Sequence, residues 1–214
     1  MVKVKWWGHA CFEVSDGKTV VFDPHNGTGI GLEPPQVKAD LVLISHDHFD
    51  HADGANLVLR PGGIVAKDSG VRTVGEVRVR GVRTYHDEKG GKLRGENTLY
   101  VVEMGGLRIC HLGDLGHVPT DRQVKEIGGV DLLFVPVGGV YTIDARGATE
   151  TLEKISPRIA VPMHYRIPGL KVGIHGVEEF LKGKKNVRQV KSSQFEIKPE
   201  NLPAQSEIWV LSWP

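Results

Sequence analysis

The chain is poor in cysteine, in net charge and in long apolar runs, and each shortage excludes a class of protein. Its 214 residues hold two cysteines, Cys11 and Cys110. Two cannot build a disulfide framework, and a thiolate-based structural zinc site needs more of them. Lys and Arg total 27 against 26 Asp and Glu, a formal net charge of +1. That balance offers no overall field for gripping a polyanion or an acidic membrane, so a nucleic-acid partner is disfavoured. No stretch reaches the roughly 18 uninterrupted apolar residues of a membrane span. The first ten residues, where Lys3 and Lys5 alternate with apolar side chains, have no apolar core of signal-peptide length. A soluble, cytoplasmic protein with no membrane partner is expected. No Pro- or Ser-rich linker marks a boundary, so residues 1–214 are expected to form one domain. Against these shortages stand ten histidines. If a metal is bound, histidine and carboxylate hold it.

Val2, Val4 and Trp6 alternate with Lys3 and Lys5, the two-residue period of a half-buried strand. Cys11 to Val14, an Asp16-Gly17 turn and Thr19 to Phe22 predict a hairpin. Asp40 to Ser45 is a near-continuous apolar run, as in strands covered on both faces. Val77, Val79 and Val82 among Arg78, Arg80 and Arg83 predict an outer strand with one wet face. The second half repeats the first in outline. Thr98 to Glu103, a Gly105-Gly106 turn and Leu107 to Leu112 predict a second hairpin, ending near Asp114 as the first ends near Asp23. Asp40 follows Asp23, and Asp131 follows Asp114, by the same interval, and each second Asp opens an apolar strand. This pattern suggests two similar halves facing one another. Short helices are expected after Pro119-Thr120-Asp121, over Ala148 to Ile155 and over Val177 to Leu181. Lys191 to Pro203 reads as loop or edge strand before a closing strand at Ile208 to Leu211. Strands, hairpins and helices in this order predict an α/β sandwich with mixed sheets rather than a doubly wound one.

The chemistry concentrates directly after the buried strand, in Ser45-His46-Asp47-His48-Phe49-Asp50-His51. His46, His48 and Asp50 are spaced by two, so an extended exit from the strand points them to one side and leaves His51 free to turn the other way. A loop at a strand's end is held by a rigid scaffold, which suits metal binding. Four such donors crowded and buried without a metal would carry unpaired polar groups at about 1–3 kcal/mol each.

His46-x-His48-x-Asp50-His51 resembles the HxHxDH signature of the metallo-β-lactamase superfamily. The resemblance extends over most of the chain: Asp23 matches an early Asp at a strand end, and His86 in Thr-Tyr-His-Asp matches a lone His before a hairpin. Gly113-Asp114 matches the Gly-Asp after that hairpin, and His164 in Val-Pro-Met-His-Tyr matches a last His after a late strand. The resemblance implies a four-layer αββα sandwich of two related halves. It implies that His46, His48 and His86 hold one metal, that Asp50, His51 and His164 hold another, and that Asp114 bridges them. It further implies a hydroxide shared between two ions as the nucleophile, which two close metals can generate near neutral pH. The nitrogen and oxygen donors suit Zn²⁺ first, with Mn²⁺ or Fe as alternatives. His111, three residues before Asp114, is the rival to His86. Asp23 is expected to orient a ligating imidazole rather than to ligate, although Asp23-Pro24 is also a turn signal. Asp50 is a candidate to accept a proton during the reaction as well as a ligand. His117 is a candidate to touch substrate, or else a surface residue.

The local wording around Arg94 to Thr98, His111 to His117 and Pro136 to Thr142 is similar to small metal-dependent hydrolases akin to ascorbate-phosphate lactonases. The expected reaction is hydrolysis of a small-molecule ester, lactone or phosphoester. Arg94, Arg166 or Lys171 would meet an anionic group on such a substrate, with Tyr141 and Thr142 in the pocket wall. The alternatives are an RNA- or DNA-processing nuclease, a redox di-iron protein and a non-catalytic metal-binding module. An exported lactamase is disfavoured by the N-terminal sequence. Against the nuclease stands the even charge. Against the redox protein stands His48, where flavin-coupled members usually place Glu.

Overall fold

The strands form where the alternation and the apolar runs place them. The computed structural model describes all 214 residues. One six-stranded sheet contains β1 (Val2–Trp6), β2 (Phe12–Asp16), β3 (Lys18–Phe22), β4 (Ala39–Leu43) and β5 (Leu59–Ala66) in that order, with β13 (Gln194–Ile197) on the far side of β1. The other sheet has eight strands. From one edge they are β6 (Gly70–Val74), β7 (Val77–Tyr85), β8 (Glu96–Met104), β9 (Leu107–His111), β10 (Leu132–Pro136), β11 (Ile159–Met163), β14 (Glu207–Leu211) and β12 (Val187–Val190).

The expected two-fold repetition is present in the strand directions. β1, β2 and β3 run antiparallel in succession, then β3, β4 and β5 run parallel. β7, β8 and β9, then β9, β10 and β11, repeat that series. The inner faces of the two sheets pack together. Phe12 and Phe22 lie directly opposite each other in the first hairpin, and both rings meet Phe134 of the other sheet, at centroid distances of 4.0 and 6.1 Å. On the outer face of the first sheet, α2 (Ala55–Val58), which follows α1 (Phe49–Ala52), buries Ala55 and Val58 with Cys11, Val21, Val42 and Ile44. Beyond the second sheet, α4 (Ala145–Ile155) and α5 (Glu178–Leu181) bury Ala148, Ile155 and Phe180. The result is the expected αββα layering with two mixed sheets. The remaining helix, α3 (Asp121–Ile127), starts at Thr120, whose side chain and that of Gln123 form a reciprocal capping box.

One expectation changes. β7 has one wet face, but it is not an outer strand: β6 pairs with its far side, and β6 is the edge. β5 carries Pro61-Gly62-Gly63 and a register shift against β4, so its sequence hides the strand period. No helix is long and apolar enough to cross a membrane.

Candidate metal centre

The candidate residues gather where strands end. The HxHxDH segment follows β4, His86 follows β7, Asp114 follows β9 by three residues and His164 follows β11. Carboxyl ends of neighbouring strands leave an opening into which side chains from separate loops converge. The two-residue spacing predicts an extended exit from the strand, but the segment is not extended throughout. It bends after β4, and α1 begins at Phe49, so Asp50 and His51 sit on a helical turn. The turn takes Asp50 and His51 toward His9 and His164, while His46 and His48 stay beside His86. Within each of these groups, one donor atom from every residue lies within 4.8 Å of the others, and His46, His51 and Asp114 form a third such group between them.

Asp114 is the hub. Its Oδ2 lies 3.2 Å from His86 Nε2, 3.2 Å from His164 Nε2 and 3.8 Å from His46 Nε2. Its Oδ1 faces His51 Nε2 at 3.2 Å. Burial opposes ionisation of Asp114, but His164 and His51 outweigh it and hold the carboxyl well below its ordinary range. Its backbone N–H donates to Asn97 Oδ1 at 2.9 Å, and the Asn97 amide donates to Thr84 Oγ1 and to the Leu112 carbonyl. Asn97 is fully buried. It therefore fixes the turn on which Asp114 stands.

Asp23 sets the ring orientation of two histidines. Its carboxylate accepts from Ser45 N, from the Ser45 hydroxyl and from His51 Nδ1, at 2.7, 2.7 and 2.9 Å. Because the Ser45 hydroxyl spends its proton on Asp23, its contact with His46 Nδ1 at 2.8 Å requires that His46 donate. Both Nδ1 atoms then carry protons, and both Nε2 atoms are the ring positions turned toward the cluster. Burial, and then His51, push His46 down to about 3, which keeps it neutral. Burial also favours neutral His51, yet Asp114 and Asp23 outweigh it and raise His51 well above its usual value.

This arrangement fits a metal. His51 Nε2 and Asp114 Oδ1 are buried, have no hydrogen-bond partner, and face one another across 3.2 Å. At that distance a positive charge must stand between them, and the proton that the raised pKa of His51 puts there holds the place a cation would take. A divalent cation supplies that charge, and neutral imidazoles with a carboxylate form a donor set for one.

His9, outside the signature segments, belongs to the cluster. It is fully buried, its Nε2 lies 3.0 Å from Asp50 Oδ2, and its ring lies tilted against that of His164 with centroids 4.1 Å apart. Burial opposes charge on Asp50, while the hydrogen bond to His9 and the proximity of His51 hold it well below the carboxylate range. His9, Asp23 and His164 all have left-handed backbones, with φ of 52°, 43° and 51°. Such non-glycine strain clusters at functional sites.

Other candidates fall outside. His111 Nε2 donates to the Ala10 carbonyl at 2.8 Å and its Nδ1 accepts from Gly113 N at 3.1 Å, with the ring stacked on Phe22. Neither nitrogen is free to ligate. His117 is not brought to the cluster: its Nδ1 donates to the Val118 carbonyl and its Nε2 accepts from Tyr85 N. Arg166 and Thr142 do not line the opening. The cavity over the cluster, of about 520 Å³, is walled by His48, Asp50, His86, Asp114 and His164 with Phe49, Arg94, Tyr141 and Lys171.

Residues 3–164 match the family model described as the beta-lactamase superfamily domain. Among curated proteins, the chain is 31% identical over 187 residues to a metal-dependent hydrolase of Thermoplasma acidophilum, covering 77% of this chain and 83% of that one. A metal-dependent hydrolase of Thermococcus onnurineus is 32% identical over 190 residues, covering 77% and 85%. Among solved structures, a candidate Zn-dependent hydrolase of the metallo-beta-lactamase superfamily from Thermotoga maritima is 36% identical. It matches over 99% of this chain and 98% of its own, with a TM-score of 0.82.

Proposed function

The chain belongs to the beta-lactamase superfamily, and from that premise we propose that it is a metal-dependent hydrolase of a small-molecule ester, lactone or phosphoester. His46, His48 and His86 would hold one divalent ion, Asp50, His51 and His164 a second, and Asp114, which faces donors of both groups, would serve the two together. Zinc is the first choice, because imidazole and carboxylate suit it and because the Thermotoga maritima relative is described as a candidate Zn-dependent hydrolase. The single observation that carries the reading is the facing pair of unpartnered buried atoms, His51 Nε2 and Asp114 Oδ1.

Bound ions would bring Lewis acidity and lower the pKa of a water toward neutrality. The chain's own residues do the rest. Asp23 and Ser45 keep the Nε2 atoms of His51 and His46 aimed inward. His9 fixes the Asp50 carboxylate, and Asn97 fixes Asp114. A cavity of about 520 Å³ matches one small molecule better than a polymer.

Assay of the purified protein, loaded with Zn²⁺ or Mn²⁺, against sugar-phosphate lactones, cyclic phosphodiesters and acyl thioesters tests the reaction. Turnover of one class that chelation abolishes and metal restores is the expected result. Turnover that survives chelation would remove the metal from the chemistry, and salt-sensitive RNA cleavage would favour a nuclease.

A further inference from the structure

The mouth of the cavity carries two cations that no carboxylate of the chain neutralises. Arg94 and Lys171 both line it, and neither forms an ion pair. The two lining carboxylates, Asp50 and Asp114, are committed to histidines. Unpaired surface cations are common, but these two are held in place. Asp87 accepts the backbone N–H groups of Lys89, Gly91, Leu93 and Arg94, so the loop after His86 is fastened to one buried carboxylate. The Arg94 guanidinium then donates to the Val140 carbonyl at 3.2 Å and lies 5.8 Å from the Tyr141 ring. That bond uses one of five donors. Lys171 N donates to the Ile30 carbonyl at 2.8 Å. A Cβ on Gly31 would come within 2.8 Å of Lys171 Cγ, and one on Gly29 within 2.9 Å of the Phe49 ring. The missing side chains seat both the lysine stem and the aromatic ring.

The same cavity exposes apolar surface to solvent. Phe49 is 51% exposed and Tyr141 42%, although both are large side chains next to a buried polar cluster. Exposed aromatics at a concave site commonly bind a ligand.

We propose that the occupant of this cavity is an organic oxyanion, a carboxylate or phosphate carried on a flat apolar body. Its anionic group meets Arg94 and Lys171, and its body lies against Phe49 and Tyr141. The assignment of that occupant as the substrate rests on the hydrolase reading; its binding does not. A fork of guanidinium donors and an ammonium are the residue types that recognise such groups.

The test is calorimetric binding of phenyl phosphate, benzoate, benzyl alcohol and inorganic phosphate to the metal-loaded protein and to R94Q, K171Q and R166Q. Each cation of the cavity is expected to contribute a charge-assisted hydrogen bond, so R94Q and K171Q should each raise the dissociation constants of phenyl phosphate and benzoate about tenfold or more. R166Q removes an equal charge outside the cavity and should change them less than about twofold. Benzyl alcohol should bind more weakly than benzoate, and inorganic phosphate more weakly than phenyl phosphate. The stronger of the two aromatic anions identifies the oxyanion. Equal binding of both anions to wild type, R94Q and K171Q would overturn the inference, as would benzyl alcohol binding as tightly as benzoate. Failure of the loaded protein to hydrolyse any substrate would overturn the hydrolase reading and leave these constants untouched, so the two failures are separable.

Discussion

Asp23 Oδ2 accepts a hydrogen bond from His51 Nδ1 at 2.9 Å, and the same carboxylate reaches His46 through the Ser45 hydroxyl. One buried acid thus orients one donor in each half of the cluster. Asp23→Asn keeps the volume and removes the charge. Metal affinity should fall roughly 10- to 100-fold, the usual cost of losing a group that orients a ligating histidine. Competition with a chelator of known affinity measures it. Unchanged affinity for both ions would mean that Asp23 serves the fold alone.

His86 and His111 should separate cleanly. His86→Ala should lower metal occupancy. His111→Ala should retain the ions, because both His111 nitrogens bond to backbone groups, and should instead lose stability. Leaving the Ala10 carbonyl and Gly113 N–H unpaired costs about 1–3 kcal/mol each. Urea unfolding together with metal analysis on each variant distinguishes the two roles.

Asn97 predicts a mixed outcome. Asn97→Ala unpairs the Asp114 N–H and the Leu112 carbonyl, both buried. Stability should fall by roughly 2–4 kcal/mol, and the metal affinity of the folded fraction should drop as well. A variant with lower stability but wild-type affinity would show that the Asp114 turn holds itself.

Asp40 gives a pH dependence away from the centre. Its carboxylate is nearly buried at the start of β4, and burial disfavours its charge. Thr19 N–H, Lys18 and Arg60 outweigh that and lower its pKa. A group depressed on folding contributes stability that is complete above the unfolded value of about 3.9 and disappears as pH falls through the folded one. The stability gap between wild type and Asp40→Asn should be constant from neutral pH down to about 5, then shrink below about 4. Denaturation midpoints across that range measure it. A gap that persists at the acid end would assign it to packing.

Most of the fold and the main donors were legible in the sequence, for identifiable reasons. The HxHxDH segment follows a strand whose apolar run is unmistakable, and the equal intervals from Asp23 to Asp40 and from Asp114 to Asp131 mark the repeated strand series. β5 and β6 were not legible, because glycine, proline and exposed valines there break the two-residue period. His9, Ser45 and Asn97 were missed as parts of the site. Each acts through a contact between segments far apart in the chain, 41 residues in the case of His9 and Asp50, and no local pattern encodes such a contact. The left-handed Gly8-His9 pair sits in a Trp-Gly-His turn, and that turn was the available hint. His117 lies three residues from Asp114 in sequence, yet its ring turns to the backbone of Tyr85 and Val118.

The central claim is that Asp114 joins two metal sites. Elemental analysis of wild type and Asp114→Ala, purified without chelator and dialysed against limiting Zn²⁺, tests it most directly. The account predicts about two ions per chain in the wild type and well under half that occupancy in the variant, with its fold intact by circular dichroism. Full occupancy in the variant, or a wild type that takes up no transition metal, would contradict it.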